Sequence, residues 1–295
     1  MDLDKIKIYF APAWGLSNEE MTDWYKRQTP NNKGIWYGIE STYNIEESDY
    51  IIIQETTDIK NVDKNKTIFF GKEPDYIAKN RCPNCFRNFH FELGNSWFPQ
   101  TWWVNINYDE LKSLKPNKTK KLSAINSQKI HTKGQSKRYE IIKKISKKYP
   151  NEIDVWGGIT TGNKNKVPFK DKLPPRDKKN GLLPYKYHLA VENGSRPFYF
   201  SEKIVDPLLC WSMPIYWGCE KIDSFLPNGS YINIDIDDPH VVEKIIEISK
   251  SNLWEENFNK IKEAREIILD KYNIWPTIES GIKKENLLID LSSGY

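Results

Sequence analysis

Residues 185–218 read YKYHLAVENGSRPFYFSEKIVDPLLCWSMPIYWG, and the order of their apolar, polar and glycine-closed segments describes one ligand-binding unit. An apolar strand, Tyr187 to Val191, leads into a polar loop from Glu192 to Tyr199. A helix capped by Ser201 follows, then a short strand, Pro214 to Trp217, closed by Gly218. That succession is a β-loop-α-β unit. A serine at the cap accepts from an N–H of the first helical turn, and the N–H groups around it carry partial positive charge. Together with Lys203, and with Arg196 in the loop, they make a place for a diphosphate. Glu202 puts a carboxylate into a site otherwise suited to anions, which is useful where hydroxyls must be gripped, such as the pair on a nucleotide ribose. Read on residues alone, the same S-E-K run also describes an ordinary capped helix beside a solvated lysine.

The segments VEN (Val191 to Asn193), YFSEK (Tyr199 to Lys203), PIYWG (Pro214 to Gly218) and NGSYINIDID (Asn228 to Asp237) follow one another along the chain. In that order they resemble the donor-binding signature of glycosyltransferase family 10, the α-1,3/1,4-fucosyltransferases, of a bacterial or viral type without a membrane anchor. The resemblance implies an α/β, GT-B-like fold: two Rossmann-like domains facing across a cleft, with the nucleotide on the C-terminal half and the acceptor on the N-terminal half. It further implies that Asn193, Tyr199 and Lys203 contact the donor phosphates, with Ser201 at the helix tip, and that Glu202 holds the ribose of a guanine nucleotide. Glu73, in the turn Gly71-Lys72-Glu73-Pro74 after the strand TIFF, resembles the segment where the family places its proposed catalytic base. Arg138, after SAINSQK, is the looser counterpart of an arginine that reaches the donor diphosphate.

The activity so implied is inverting transfer of fucose from GDP-fucose to a hydroxyl of a glycan acceptor. Glu73 would be the general base, and Lys203 and Arg138 would stabilise the leaving diphosphate. Because cationic side chains can do that work, a divalent metal is not essential, and the Asp235-Ile-Asp237 pattern reads as a strand leading into a helix cap. Two departures from the family pattern stand out: Pro207, which should kink the helix after S-E-K or move its start to Asp206, and the loop Arg196-Pro197. The altered loop keeps open a same-fold transferase with another nucleotide sugar. The remaining alternative is a non-catalytic protein that binds glycans or nucleic acid.

A chain of 295 residues suits two domains with real cores, and 28% charged with 13% aromatic residues, eleven of them Trp, describes a globular protein rather than a disordered one. A net charge of +4 is too mild to argue for nucleic acid, so none is expected as a partner. The sequence has no apolar run of membrane-spanning length, and MDLDKIKIYF lacks a signal-peptide pattern, so a cytoplasmic location is expected. Between Lys115 and Lys148 the only acid is Glu140. That basic face suits peripheral contact with anionic lipid headgroups. The sequons at Asn65, Asn117, Asn193 and Asn228 are then chance matches. Cys82 and Cys85 form a C-P-N-C turn expected to carry free thiols, while Cys210 and Cys219 fall in a buried helix and strand and make poor zinc partners.

Short apolar runs bounded by turn residues place strands at Ile6–Ala11, Ile35–Ile39, Tyr50–Gln54 and Thr67–Phe70, with a Ser17/Glu20 capping box opening a helix between the first two. KPNKTKK, Lys115 to Lys121, reads as the interdomain linker. A renewed β-α-β order follows: strand Leu122–Ile125, basic helix Ser136–Lys148 and the strand IDVWGG. The C-terminal part adds a helix Val241–Ser249 and a long helix Trp254–Tyr272. The expected division is 1–115 for the acceptor, 116–275 for the nucleotide sugar and 276–295 as a tail. Trp97, Trp102 and Trp103 are the candidates for stacking on acceptor sugars.

Overall fold

The computed structural model describes residues 5–72, 82, 84–90, 101–127, 129–157, 167 and 169–283, in two compact units. The first unit takes the chain to residue 101, residues 106–113 and the stretch from 269 onward; the second takes 102–105 and 114–268. The described residues 269–283 thus group with the first unit, and 102–105 with the second.

The first unit is built from β1 (Ile6–Phe10), α1 (Asn18–Lys26), β2 (Ile35–Trp36), β3 (Ile39–Thr42), β4 (Tyr50–Gln54), β5 (Thr67–Gly71), β6 (Arg87–His90) and α2 (Tyr108–Ser113). Its sheet runs β2-β3-β1-β4-β5-β6, with every neighbouring pair parallel except β2 with β3. A parallel sheet is covered on both faces, which is why its central strands read as unbroken apolar runs such as YIII and TIFF. The expected strand 35–39 is instead the two short strands β2 and β3, because Tyr37, at φ 46°, and Gly38 turn the chain back on itself. The capping box forms as read: Ser17 Oγ accepts from the Glu20 N–H at 3.2 Å, and the Glu20 carboxylate accepts from the Ser17 N–H at 2.8 Å.

The second unit contains β7 (Lys120–Asn126), α3 (Lys133–Lys148), β8 (Asp154–Gly157), β9 (Tyr185–Arg196), α4 (Glu202–Leu209), β10 (Met213–Cys219), β11 (Ile232–Asn233), α5 (Val241–Lys250), α6 (Leu253–Glu256) and most of α7 (Phe258–Asp270). The expected long helix over 254–272 is thus α6 and α7, separated at Asn257. The final helix, α8 (Ile274–Ile282), rejoins the first unit, where Ile274, Trp275 and Ile278 pack with Phe10, Tyr25 and Ile52. The Trp275 indole N–H donates to the Tyr25 carbonyl at 2.8 Å.

The second sheet runs β11-β10-β9-β7-β8, parallel throughout. In each unit the opening strand lies inside the sheet, β1 between β3 and β4, and β7 between β8 and β9. Setting aside the antiparallel β2, both sheets share the doubly wound order of Rossmann-like domains, so the two halves required of a GT-B-like fold are present. In such sheets ligands bind beyond the carboxyl ends of the strands where the winding reverses, which in the second unit is the crevice between β7 and β9.

Corrections around that crevice are local. β9 continues to Arg196, so the stretch from Glu192 is largely strand rather than loop. α4 starts at Glu202 and passes through Pro207 without moving to Asp206. Cys82 and Cys85 are joined in a disulfide rather than free, whereas Cys210 and Cys219 are buried thiols. Among the described residues no group of His, Cys, Asp and Glu could hold a metal ion, and no helix is long and apolar enough to cross a membrane.

The opposite, amino-terminal edge of the second sheet is tied by Asp154, which accepts from Lys120 Nζ at 2.8 Å, Lys170 Nζ at 2.8 Å and Tyr185 Oη at 2.7 Å. Burial pushes its carboxyl up, and these three donors outweigh that, bringing its pKa down from 3.8 to about 2. A depressed carboxyl contributes stability above its unfolded pKa and loses it as pH falls. Asp154→Asn is therefore expected to cost about 1 to 2 kcal/mol at neutral pH. Urea unfolding at a series of pH values should show the deficit vanishing between pH 3.8 and 2.

Candidate functional site

Two close approaches shape the carboxyl end of β9. The N-terminal turn of α3 lies so near that a Cβ on Gly134 would sit 1.8 Å from the Glu192 carbonyl oxygen. In β10, a Cβ on Gly218 would sit 2.3 Å from Glu192 Cγ and 2.7 Å from Tyr216 Oη. Only glycine fits at both positions: Gly134 lets α3 approach the β9 backbone, and Gly218 leaves room for the fully enclosed Glu192 side chain.

Glu192 holds the start of α4. Its Oε1 accepts the Ser201 backbone N–H at 2.8 Å, and its Oε2 accepts the Ser201 hydroxyl at 2.6 Å. Ser201 is consequently more than a helix cap, since its hydroxyl donates to Glu192 while its Oγ accepts from the Lys203 N–H at 3.4 Å. Lys203 Nζ lies 3.1 Å from Ser201 Oγ and 3.4 Å from both Glu192 Oε2 and Glu202 Oε1. Burial raises the Glu192 pKa. It lowers that of Lys203, but Glu202 and Glu192 reverse the effect and hold the ammonium in its charged form.

A second cluster adjoins the first. Lys178 Nζ lies 2.8 Å from Asp206 Oδ2 and 3.3 Å from Glu202 Oε1. Asp206, one turn after Glu202 on α4, is enclosed and accepts the Trp103 N–H on its other oxygen at 2.9 Å. Burial lifts the Asp206 pKa to about 6. Burial acts the same way on Glu202, yet Lys178 and Lys203 overcome it and hold that carboxyl well below its ordinary value.

Arg138 lies in the second turn of α3, not at its opening, because the helix begins at Lys133 with Thr132 as its cap. Its guanidinium spans the switch point, donating from Nη1 to the Val191 carbonyl at 2.5 Å and from Nε to Asn126 Oδ1 at 3.4 Å.

These side chains surround a cavity of about 200 Å³ whose lining includes Arg138, Lys178, Glu202, Lys203 and Asp206. Its wall also carries His188, whose Nδ1 is 2.8 Å from Ser123 Oγ. Burial, with Lys178 and Arg138, lowers the imidazole pKa to about 3, so it is neutral at pH 7. A neighbouring cavity of about 320 Å³ shares Ile125, Ser127, Lys178 and Glu202 and adds Trp103 and Arg176. Cations beside an oriented carboxylate, at the carboxyl ends of parallel strands, suit a ligand that carries both phosphate and hydroxyl groups.

Arg138, Glu202 and Lys203 thus line one cavity. Ser201 stands behind them, bonded to Glu192. Asn193 lies beside α3, its Oδ1 3.5 Å from Gln135 Nε2, and Tyr199 is buried; neither lines the cavity. Trp102 is completely enclosed, so it has no face for a sugar, while its neighbour Trp103 is the one in a cavity wall. Glu73 and Trp97 lie outside the described residues. Glu192, Lys178 and Asp206 were not singled out as site residues. Glu192 was within reach as the middle residue of the VEN segment, whereas Lys178, seven residues before β9, carries no local signal.

Residues 115–254 match the family model described as glycosyltransferase family 10 (fucosyltransferase), C-terminal part. Among solved structures, an α1,3-fucosyltransferase with GDP is 16% identical, covering 92% of this chain and 93% of that one at a TM-score of 0.48. One with GDP-fucose is 16% identical, covering 99% and 92% at a TM-score of 0.48. TarM is 12% identical, covering 83% and 44% at a TM-score of 0.40.

Glu192 is the keystone of this geometry. Truncating it leaves Ser201 and Lys203 without their buried partner, and Glu192→Ala is expected to cost about 3 to 5 kcal/mol by urea unfolding. Glu192→Gln, which keeps an acceptor for the Ser201 N–H, should cost clearly less.

Proposed function

We propose that this enzyme is an inverting α-1,3-fucosyltransferase, a reading supported by the match of residues 115–254 to the glycosyltransferase family 10 (fucosyltransferase) C-terminal model. It moves fucose from GDP-fucose to a hydroxyl of a glycan acceptor. The observation that carries the reading is the gathering of Arg138, Lys203 and Glu202 around one cavity at the β7/β9 switch point.

On this reading the residues take these roles. Lys203 and Arg138 meet the charge that grows on the diphosphate as the bond to the anomeric carbon breaks. Fixed donors of this kind are worth roughly 3 to 4 kcal/mol each. Ionised Glu202 accepts from the ribose hydroxyls. Glu73 takes the proton of the acceptor hydroxyl as its oxygen attacks the opposite face of the sugar, a contribution of about 10²- to 10⁴-fold. Asn193 and Tyr199 support the phosphate side. With two cations on the leaving group, the reaction does not depend on a divalent metal. The reaction belongs in the cytoplasm, with Lys143, Lys144 and Lys147, exposed on α3, available to an anionic membrane surface.

One observation favours a different nucleotide sugar: Arg196 and Pro197, exposed at the end of β9, depart from the family pattern. Turnover measured across a panel of GDP- and UDP-sugars decides the matter. Activity with GDP-fucose is the expected result, and activity with another donor but none with GDP-fucose overturns it.

In the same assay Lys203→Ala should lower kcat/KM by about 10²- to 10³-fold. Glu73→Gln should lower kcat about 10²-fold or more while leaving the affinity for GDP, read by thermal shift, unchanged. A Lys203→Ala enzyme retaining most of its activity removes the leaving-group assignment.

A further inference from the structure

Glu202 is held by two lysines on the same oxygen. Lys178 and Lys203 lie 3.3 Å and 3.4 Å from Oε1, and no bond among the described residues takes Oε2. The two lysines are fastened very differently. Among the described residues, Lys203 has contacts of 3.1 to 3.4 Å, with Ser201, Glu192 and Glu202. Lys178 has a 2.8 Å bond to Asp206, an acid buried to 1% exposure whose second oxygen is fixed by the Trp103 N–H. Its backbone is fixed as well, since the Lys178 N–H donates to the Trp103 carbonyl at 2.8 Å and Asp177 pairs with Val104. Lys178 is thus the more firmly held of the two ammonium groups, and Lys203 the more loosely held.

We propose that Lys178 is a positioning residue of the donor site. Anchored by Asp206 and the Trp103 backbone, it keeps the Glu202 carboxylate oriented so that Oε2 receives the ribose hydroxyls after Lys203 has been drawn to the phosphates. The inference rests on Glu202 being the ribose ligand. It assigns to Lys178 no direct part in the chemistry, although the side chain lines both cavities.

The test compares GDP with 2′,3′-dideoxy-GDP by isothermal titration calorimetry of the full chain. Wild type should prefer GDP by about 10- to 100-fold, the value of hydrogen bonds to a charged acceptor. Lys178→Met should bring that preference close to one, and Lys178→Arg should recover most of it. A purely structural lysine would weaken both ligands alike and leave their ratio untouched. A ratio in Lys178→Met within threefold of the wild-type value therefore overturns the inference while the ribose reading stands. Equal binding of the two ligands by wild type removes the ribose reading and this inference with it. Should Lys178→Met not fold, as judged by its melting curve, Lys178→Gln carries the same comparison, keeping an amide donor for Asp206 while removing the charge on Glu202.

Discussion

The bond pair between buried Glu192 and Ser201 is the constraint on which the second unit's site depends. A carboxylate with no exposure is costly to keep unless every lone pair finds a donor, and Ser201 supplies both an N–H and an O–H. That satisfaction fixes the N-cap of α4 against the carboxyl end of β9. Once the helix start is fixed, Glu202, Lys203 and Asp206 emerge from its first two turns at set positions, and Pro207 cannot shift the start to accommodate its missing N–H. Gly134 and Gly218 belong to the same arrangement, since a methyl group at either would occupy space used by Glu192.

The site's location has a separate cause. β7 opens its unit inside the sheet, so the chain winds to one side through β8 and to the other through β9, and the loops beyond these strands diverge. Arg138 crosses the resulting gap from α3, bonded to Asn126 on one side and Val191 on the other. The guanidinium thus closes the base of the crevice in addition to lining it.

Much of this was legible because it is local. The alternation from an apolar strand to S-E-K to a second strand is a matter of residue order, and the capping residues Ser17 and Ser201 lie next to the helices they start. Apolar runs located β1, β4, β5 and β7 for the same reason. What escaped depends on contacts distant in the sequence. Nothing near Lys178 announces that Asp206 and the backbone of Trp103 will meet it, and nothing distinguishes Trp102, sealed in the core, from Trp103, one residue on and in a cavity wall. The hairpin at Tyr37 and Gly38 was lost inside an apolar run because the decisive quantity is a backbone dihedral, and Tyr adopts φ 46° against its usual preference. Cys82 and Cys85 carry a short spacing that is compatible with free thiols as well as with the disulfide they form.

The charges around the first cavity balance, with Arg138, Lys178 and Lys203 facing Glu192, Glu202 and Asp206. An empty buried site of unmatched cations would be strained by repulsion and desolvation, so the carboxylates let the cations be stored. Storage is useful only if some of that charge can be redirected to a ligand, and the distances say which. Lys178 is committed to Asp206 at 2.8 Å, and Arg138 to two protein acceptors, whereas each of Lys203's polar contacts is 3.1 Å or longer. Lys203 therefore has the least to lose on turning toward a diphosphate. Burial raises the pKa of Glu192, one of the two carboxyls that Lys203 pairs with. The site holds its charge in reserve through the loose pairing of Lys203, beside a Lys178 paired closely with Asp206.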